Sequence, residues 1–260
     1  MMRRILILSH PRSGSSWLGS VIANSDRVRY LREPVLQSRL DTVSDPFCAS
    51  SGLTRSERRN LRSVIDRTFA TNDREILVVK EVTPLLLDDF LEVEGLEVVY
   101  LQRHPLAIAA SHVALGWLPR ETMVDRAGIS SSARHILQGL WDSSSDLVRL
   151  VAYYGAVESS IDPTFQQRRA VTVRYEDLVS GHLGDLKGLF SDIGVSNSAF
   201  ASPAIDDERE DAYGVGTNRS VTDRSALTPE DVEESRAAWM RFHPTAYRRD
   251  AAWEEFVAED

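Results

Sequence analysis

The sequence is short of the features that mark several large classes of protein. It has a single cysteine, Cys48, which cannot form an internal disulfide and has no neighbours at metal-ligand spacing, so we expect no metal site. Basic residues are also outnumbered, with 30 lysines and arginines against 39 aspartates and glutamates and a formal net charge of −9. Proteins that bind a nucleic-acid backbone usually have the opposite balance, so we expect no nucleic-acid partner.

Long hydrophobic runs are missing as well. The apolar run at residues 5–8 follows two arginines but ends at Ser9, and a signal peptide needs an apolar core of about 7–15 residues. No segment approaches the ~20 apolar residues of a membrane span. Together with the lone cysteine, these absences predict a cytoplasmic protein, and they leave the oligomeric state open.

Short apolar runs indicate a parallel sheet. Continuous rather than alternating hydrophobicity predicts strands buried on both faces. Four such runs occupy residues 5–8, 76–79, 98–101 and 171–175, and a shorter fifth occupies residues 28–31. Helical patterns lie between and after them at residues 17–23, 61–70, 107–115, 133–158, 183–193 and 229–243. The alternation predicts an α/β fold, a P-loop-like doubly wound parallel sheet of four to five strands flanked by helices.

The 260 residues fit a single domain, 1–260, with a sizeable core. Polar stretches near residues 37–60 and 196–228 resist assignment to a helix or strand, and residues 119–132 are expected to form a further variable loop. Unstructured stretches of this length inside a compact domain are usually lids or binding loops, so we expect mobile loops there.

The strongest functional signal lies between the first strand and the first helix. The loop reads His10-Pro11-Arg12-Ser13-Gly14-Ser15-Ser16-Trp17-Leu18. Gly14 permits a tight turn, the serines add hydroxyl donors, and Arg12 supplies a fixed charge beside the positive end of a helix. The loop lacks the second glycine and the lysine of a Walker A motif, which argues against ATP hydrolysis. It predicts an anion site; a merely structural serine-rich turn is the alternative.

A second anion motif follows the third apolar run. Arg103 stands at the predicted strand end, Pro105 suits the first turn of a helix, and Ser111 lies eight residues beyond Arg103. Eight residues are close to two helical turns, so both side chains can face the same crevice. An arginine in this position, taken alone, more often forms a surface ion pair, and it is the combination with the first loop that predicts a second anion site.

These motifs together resemble those of sulfotransferases that use 3′-phosphoadenosine 5′-phosphosulfate (PAPS). The loop from Arg12 to Trp17 resembles the family's 5′-phosphosulfate loop, and Arg103 with Ser111 resembles its 3′-phosphate motif. The segment around Tyr175 looks like the family's next strand, where a tyrosine lies near the adenine. The resemblance spans residues 5–179, roughly two-thirds of the chain, and is nearer to the carbohydrate-type and bacterial branch than to the phenol and steroid branch.

The resemblance also implies the catalytic residues. Glu33 would act as the base, with Arg12 and Lys80 as the cationic groups at the sulfuryl. Glu33 precedes Pro34, which predicts an extended conformation at a strand end. A surface ion pair with Arg32 is the alternative role for Glu33, and Glu81 is the rival base.

Three further residues flank or follow these motifs. In many relatives a late loop with an arginine folds over the 3′-phosphate, and the resemblance implies Arg219 as its counterpart; a solvated surface arginine is the alternative. His10 and His104, which flank the anion motifs, are expected to orient loops rather than act as bases.

The sequence therefore predicts an enzyme that transfers a sulfuryl group from PAPS to a hydroxyl of a small-molecule or glycosylated acceptor. The product would be 3′-phosphoadenosine 5′-phosphate (PAP), and no metal is required. A P-loop nucleotide kinase or related phosphotransferase is the main alternative, and a catalytically silent nucleotide-binding relative is the third.

Overall fold

Five parallel strands form the centre of the computed structural model. The strands are β1 (Arg3–Ser9), β2 (Val28–Arg32), β3 (Ile76–Glu81), β4 (Leu96–Gln102) and β5 (Val171–Arg174). They pair in the order β2-β3-β1-β4-β5, and every pairing is parallel. The predicted α/β architecture, with its parallel sheet, is confirmed with all five strands present.

The structure describes residues 3–38, 52–70, 73–142, 144–168, 170–182, 186–192, 227–243, 246–248, 251–254 and 256. Helices connect and flank the strands throughout these ranges. They are α1 (Ser15–Ala23), α2 (Arg55–Ala70), α3 (Leu87–Phe90), α4 (Pro105–Ala114), α5 (Ser131–Trp141), α6 (Asp146–Arg168), α7 (Tyr175–Val179), α8 (Leu186–Asp192), α9 (Pro229–Met240) and α10 (Ala251–Glu254).

The two faces of the sheet bury separate apolar clusters. Because side chains alternate along a strand, Leu6 and Leu8 of β1 enter one cluster while Ile5 and Ile7 enter the other. The first cluster is the larger and contains buried residues of α2, α4, α5, α6 and α9. The second contains residues of α1, α7 and α8. Helices on both faces explain why the strands read as continuous apolar runs.

The pattern at residues 133–158, predicted as one helix, is two helices, α5 and α6. The prediction of one helix was wrong because the apolar spacing of the two helices is nearly continuous. Polar residues between them end α5 and begin α6. Ser145 accepts a hydrogen bond from the Val148 N–H at 3.4 Å, and Arg149 Nε donates to the Trp141 carbonyl at 2.6 Å. The first contact caps the start of α6, and the second satisfies a carbonyl at the end of α5.

Two further boundaries differ from the predictions. Tyr175 begins α7 instead of ending β5, and residues 55–60, predicted within a mobile loop, form the first turns of α2. A capping contact accounts for the early start of α2, since the Thr54 N–H donates to Glu57 Oε2 at 2.7 Å. Across the described ranges, no helix combines the length and apolar character needed to cross a membrane.

Candidate active site

The predicted site residues follow the carboxyl ends of neighbouring strands. The serine-rich loop follows β1, Glu33 follows β2, and Arg103 follows β4. Lys80 lies in the last two residues of β3, and Tyr175 directly follows β5. All five strands are parallel, so these ends share one edge of the sheet, which is where open α/β sheets bind ligands.

The loop after β1 has a backbone shaped for close approach. Arg12 and Gly14 both adopt left-handed conformations, with φ of 67° and 87°. The hydroxyl of Ser9 donates to the Ser15 hydroxyl at 2.8 Å and ties the strand to the first residue of α1. The Ser13 hydroxyl is buried and has no hydrogen-bond partner among the described residues. A buried donor of this kind, beside the N-terminus of α1, fits an anionic oxygen.

The two anion motifs contact one another directly. Arg12 Nε donates to the Ser111 hydroxyl at 3.0 Å, across 99 positions of sequence. Arg103 Nη1 donates to the Arg12 carbonyl oxygen at 2.9 Å. The fold therefore brings Arg12, Arg103 and Ser111 into one cluster, and a single ligand with two phosphate groups could contact both motifs.

Tyr175 packs over the loop on its other side. A Cβ atom built on Gly14 would lie 2.4 Å from Tyr175 Cδ2, so only glycine leaves room for the ring. The Arg103 guanidinium lies 4.7 Å from the centre of the same ring, and the Trp17 ring lies 5.8 Å away with its edge towards it. Trp17 and Tyr175 therefore place aromatic surface beside the cationic cluster.

Lys80 joins the loop to Glu33. Its ammonium group forms a buried salt bridge with the Glu33 carboxylate and lies 3.3 Å from the Ser16 hydroxyl. Burial lowers the pKa of Lys80, and the neighbouring Glu33 carboxylate opposes that shift. The Glu33 side chain is also largely buried, so it does not occupy the exposed setting of a surface ion pair with Arg32.

The backbone of Glu33 corrects one expectation. The residue was predicted to be extended before Pro34, yet it adopts a left-handed conformation with φ of 51°. Hydrogen bonds on both sides hold it there, from the Glu33 N–H to the Lys80 carbonyl at 2.7 Å and from the Gln37 N–H to the Glu33 carbonyl at 2.8 Å. Steric bias from a following proline is weaker than these contacts.

Glu81, the rival base, makes a different contact from Glu33. Its side chain is fully buried, and its Oε1 accepts a hydrogen bond from the Val35 N–H at 2.6 Å. Burial raises the pKa of Glu81 to about 8. Between the two rival bases, Glu33 is the one that touches Lys80 and thereby the loop.

A buried polar network behind the loop was missed from the sequence. Glu158 on α6 accepts hydrogen bonds from the Tyr100 hydroxyl at 2.7 Å and from Gln102 Nε2 at 3.0 Å, and His10 Nε2 lies 3.2 Å from the same carboxylate. The Tyr154 ring meets the His10 ring edge-on at 4.9 Å. Tyr154 and Glu158 are four residues apart and share a helix face, which was the available signal.

His112 extends this network to the second anion motif. The residue follows Ser111 on α4, and its Nδ1 is hydrogen-bonded to the Tyr154 hydroxyl. Burial, with smaller contributions from Arg12 and His10, lowers the pKa of His112 to about 3. A neutral His112 beside Arg12 adds no positive charge to the cluster.

Residues near the C-terminus pack beside the second anion motif. Glu176 accepts hydrogen bonds from the His104 N–H at 2.9 Å and from the Tyr247 hydroxyl at 2.7 Å. The His104 ring packs against Tyr247 and Trp253, with centroid separations of 4.9 and 4.4 Å. His104 is therefore packed against these neighbouring side chains. Arg219, the remaining predicted site residue, lies outside the described residues, and so does the cysteine, Cys48.

Comparison with solved structures shows that the fold is similar to known ones. A sulfotransferase from Alicyclobacillus acidocaldarius aligns with a TM-score of 0.52 at 13% identity, over 98% of this chain and 99% of that one. The chain has the fold of that sulfotransferase. No family model and no curated protein matches the sequence.

Two further structures align less closely. A mouse sulfotransferase complexed with PAP has a TM-score of 0.46 at 12% identity, covering 98% of this chain and 89% of that one. A shikimate kinase from Bacteroides thetaiotaomicron has a TM-score of 0.41 at 12% identity, covering 66% and 86%.

Proposed function

We propose that this protein is an enzyme that transfers a sulfuryl group from PAPS to an acceptor hydroxyl. The contact from Arg12 to Ser111, at 3.0 Å, carries the proposal because it joins the two anion motifs into one site. A nucleotide with phosphate groups at both its 5′ and 3′ positions matches such a site. The chain has a net charge of −9, so this local cluster of cations is the feature that attracts an anionic donor.

The residues of the site match both the 5′-phosphosulfate and the 3′-phosphate of the donor. The 5′-phosphosulfate would lie against the loop of Arg12 to Trp17, where Ser13 has a buried hydroxyl without a partner among the described residues. The 3′-phosphate would contact Arg103 and Ser111. The rings of Trp17 and Tyr175 would border the adenine. Arg219 is proposed as an additional phosphate contact on the strength of the sequence resemblance alone.

Three residues would carry the chemistry. The acceptor oxygen forms a bond to sulfur while the bond from sulfur to the 5′-phosphate oxygen breaks, and the acceptor proton passes to Glu33. Lys80 and Arg12 stabilise the charge that develops on the leaving phosphate oxygen and on the sulfuryl oxygens. The position of Lys80 between Glu33 and Ser16 supports this division of roles. None of these steps requires a metal ion.

A nucleotide kinase or related phosphotransferase is the competing function. It would require ATP and Mg²⁺, and the loop has no lysine at the Walker position. A non-catalytic relative would bind the bisphosphate and transfer nothing. The acceptor itself is proposed only as a hydroxyl on a small metabolite or a glycosylated molecule, and a cytoplasmic location remains a prediction from the sequence.

Ligand-dependent melting separates these functions. We expect adenosine 3′,5′-bisphosphate at about 100 times its Kd to stabilise the protein by about 2.7 kcal/mol, while ATP with Mg²⁺ causes no comparable rise in Tm. PAP release from PAPS, measured with water alone and with a panel of sugars and alcohols, then tests transfer. Stabilisation by ATP with Mg²⁺ alone would favour the kinase, and bisphosphate binding without PAP release would favour the silent relative.

A further inference from the structure

The contact between Glu81 and the turn after β2 has no role in the chemistry described above. We propose that Glu81 is a positioning residue that holds residues 33–38 so that the Glu33 carboxylate faces Lys80 and the reacting centre. This inference rests on the proposed role of Glu33 as the base. Glu81 itself touches neither the donor nor the acceptor.

The geometry of β3 places two anchors on opposite sides of one turn. Successive side chains of a strand point to opposite faces, so Lys80 shares a face with Val78, and Glu81 shares the other face with Val79. Lys80 holds the Glu33 side chain from the first face. Glu81 holds the backbone of Val35, itself fully buried, from the second face.

The turn needs such anchors because its conformation is unfavourable. A side chain in the left-handed region, as at Glu33, is disfavoured because its Cβ crowds the following carbonyl oxygen. The bond from the Glu33 N–H to the Lys80 carbonyl fixes the start of the turn. The bond from the Val35 N–H to Glu81 fixes its middle, and an apolar residue at position 81 would leave that buried N–H without its acceptor.

The protonation state of Glu81 suits this role. Its pKa is raised to about 8 chiefly by burial, with a further contribution from Glu33, while the Val35 bond and Lys80 act in the opposite direction. Glu33 and Lys80 are the ionisable groups that act on Glu81, and Arg32 in turn acts on Lys80. Below pH 8 a neutral Glu81 holds Val35 without repelling the Glu33 carboxylate.

Two substitutions separate positioning from other roles. Glu81→Gln keeps an oxygen that can accept from the Val35 N–H but cannot ionise, whereas Glu81→Leu removes the acceptor at similar volume. We expect Glu81→Leu to lower kcat for PAP release from PAPS at least tenfold, with the Kd for adenosine 3′,5′-bisphosphate changed less than twofold. We expect Glu81→Gln to retain kcat within threefold at pH 7. Hydrogen–deuterium exchange of residues 33–38 should accelerate in the leucine variant only.

The pH profile provides the readout that a purely structural role would not change. Above pH 8 the wild-type kcat should fall because ionised Glu81 is a buried charge that repels the Glu33 carboxylate and disturbs the turn, and the Glu81→Gln profile should stay level there. The same alkaline fall in both proteins, or full kcat in Glu81→Leu, would overturn the inference. If Glu81→Leu does not fold, the profile of Glu81→Gln decides. If no variant binds the bisphosphate or releases PAP, the proposed function fails, and the exchange data alone test the anchoring of the turn.

Discussion

Glu33 and Lys80, the proposed base and one of the two proposed cationic groups, form a buried ion pair. Lys80 is 2% exposed, so its ammonium group depends on nearby carboxylate and hydroxyl oxygens for the interactions that water would otherwise supply. Glu33 and Ser16 provide them. The same carboxylate can then accept a proton from an acceptor hydroxyl that approaches from outside the loop.

Replacing Glu33 with glutamine tests this assignment. The amide can still accept a hydrogen bond from Lys80, but it cannot take up a proton, so we expect kcat for PAP release to fall about 10²–10⁴-fold. The Kd for adenosine 3′,5′-bisphosphate should stay nearly unchanged. Glu94→Gln, at an exposed position on the opposite edge of the sheet, is the matched control and should keep wild-type kcat. Wild-type turnover in Glu33→Gln would rule Glu33 out as the base.

The contact between the β1 loop and helix α7 joins two elements that are far apart in the sequence. Tyr175, the first residue of α7, lies against Gly14, and Arg103 after β4 lies over the same ring. The loop conformation is therefore determined by packing between elements as well as by its own glycine and serines.

A substitution of Gly14 by alanine should disturb this packing. Gly14 has φ of 87°, and the added methyl group would meet Tyr175 at 2.4 Å, so the loop or the ring must move. We expect the Kd for adenosine 3′,5′-bisphosphate, measured by calorimetry, to rise at least about tenfold, which corresponds to about 1.4 kcal/mol.

Gly116→Ala is the control for backbone strain. Gly116 also has a positive φ, 71°, but an added Cβ would have no neighbouring atom within 4 Å. Both variants should lose stability from strain, and only Gly14→Ala should lose affinity. Equal losses of affinity would show that Tyr175 does not shape the loop.

Across the whole molecule, buried ionisable groups link folding to pH. His112 has a pKa of about 3 in the folded chain and an ordinary value of 6.5, so the unfolded chain binds a proton more readily between these limits. Its contribution to stability is therefore complete above pH 6.5 and is lost as the pH falls towards 3. Glu81 acts in the opposite sense, because its raised pKa makes its contribution fall as the pH rises from 4.5 to about 8.

Denaturant unfolding at pH 6.5 and pH 5 tests the contribution of His112. Each pH unit within its window can remove up to about 1.4 kcal/mol from the free energy of unfolding. We expect His112→Asn, which has no titrating group, to lose less stability over this interval than the wild type, whatever its stability at pH 6.5. An equal loss in both proteins would mean that His112 is not held neutral.

The strands, the position of the β1 loop and the two anion motifs follow from local patterns. Residues 5–8 and 76–79 are apolar throughout because both faces of the sheet are covered, and Pro105 begins α4 where its missing N–H costs nothing. Each of these features depends on a few neighbouring residues, so it can be predicted from the sequence alone. The division of residues 133–158 into two helices was harder to predict because its signal is a capping contact.

Contacts between distant parts of the chain could not be predicted in this way. Glu33 and Glu81 both follow short apolar runs, so the sequence does not distinguish their roles. Only the pairing of β2 with β3 shows that the Glu33 carboxylate binds Lys80 and that the Glu81 carboxyl binds the Val35 N–H. His112 and Glu158 likewise read as ordinary helical residues until α4 and α6 pack together behind the loop. Local sequence establishes which groups stand at the strand ends, whereas burial and partner choice arise only when those ends meet, because both depend on atoms from remote segments.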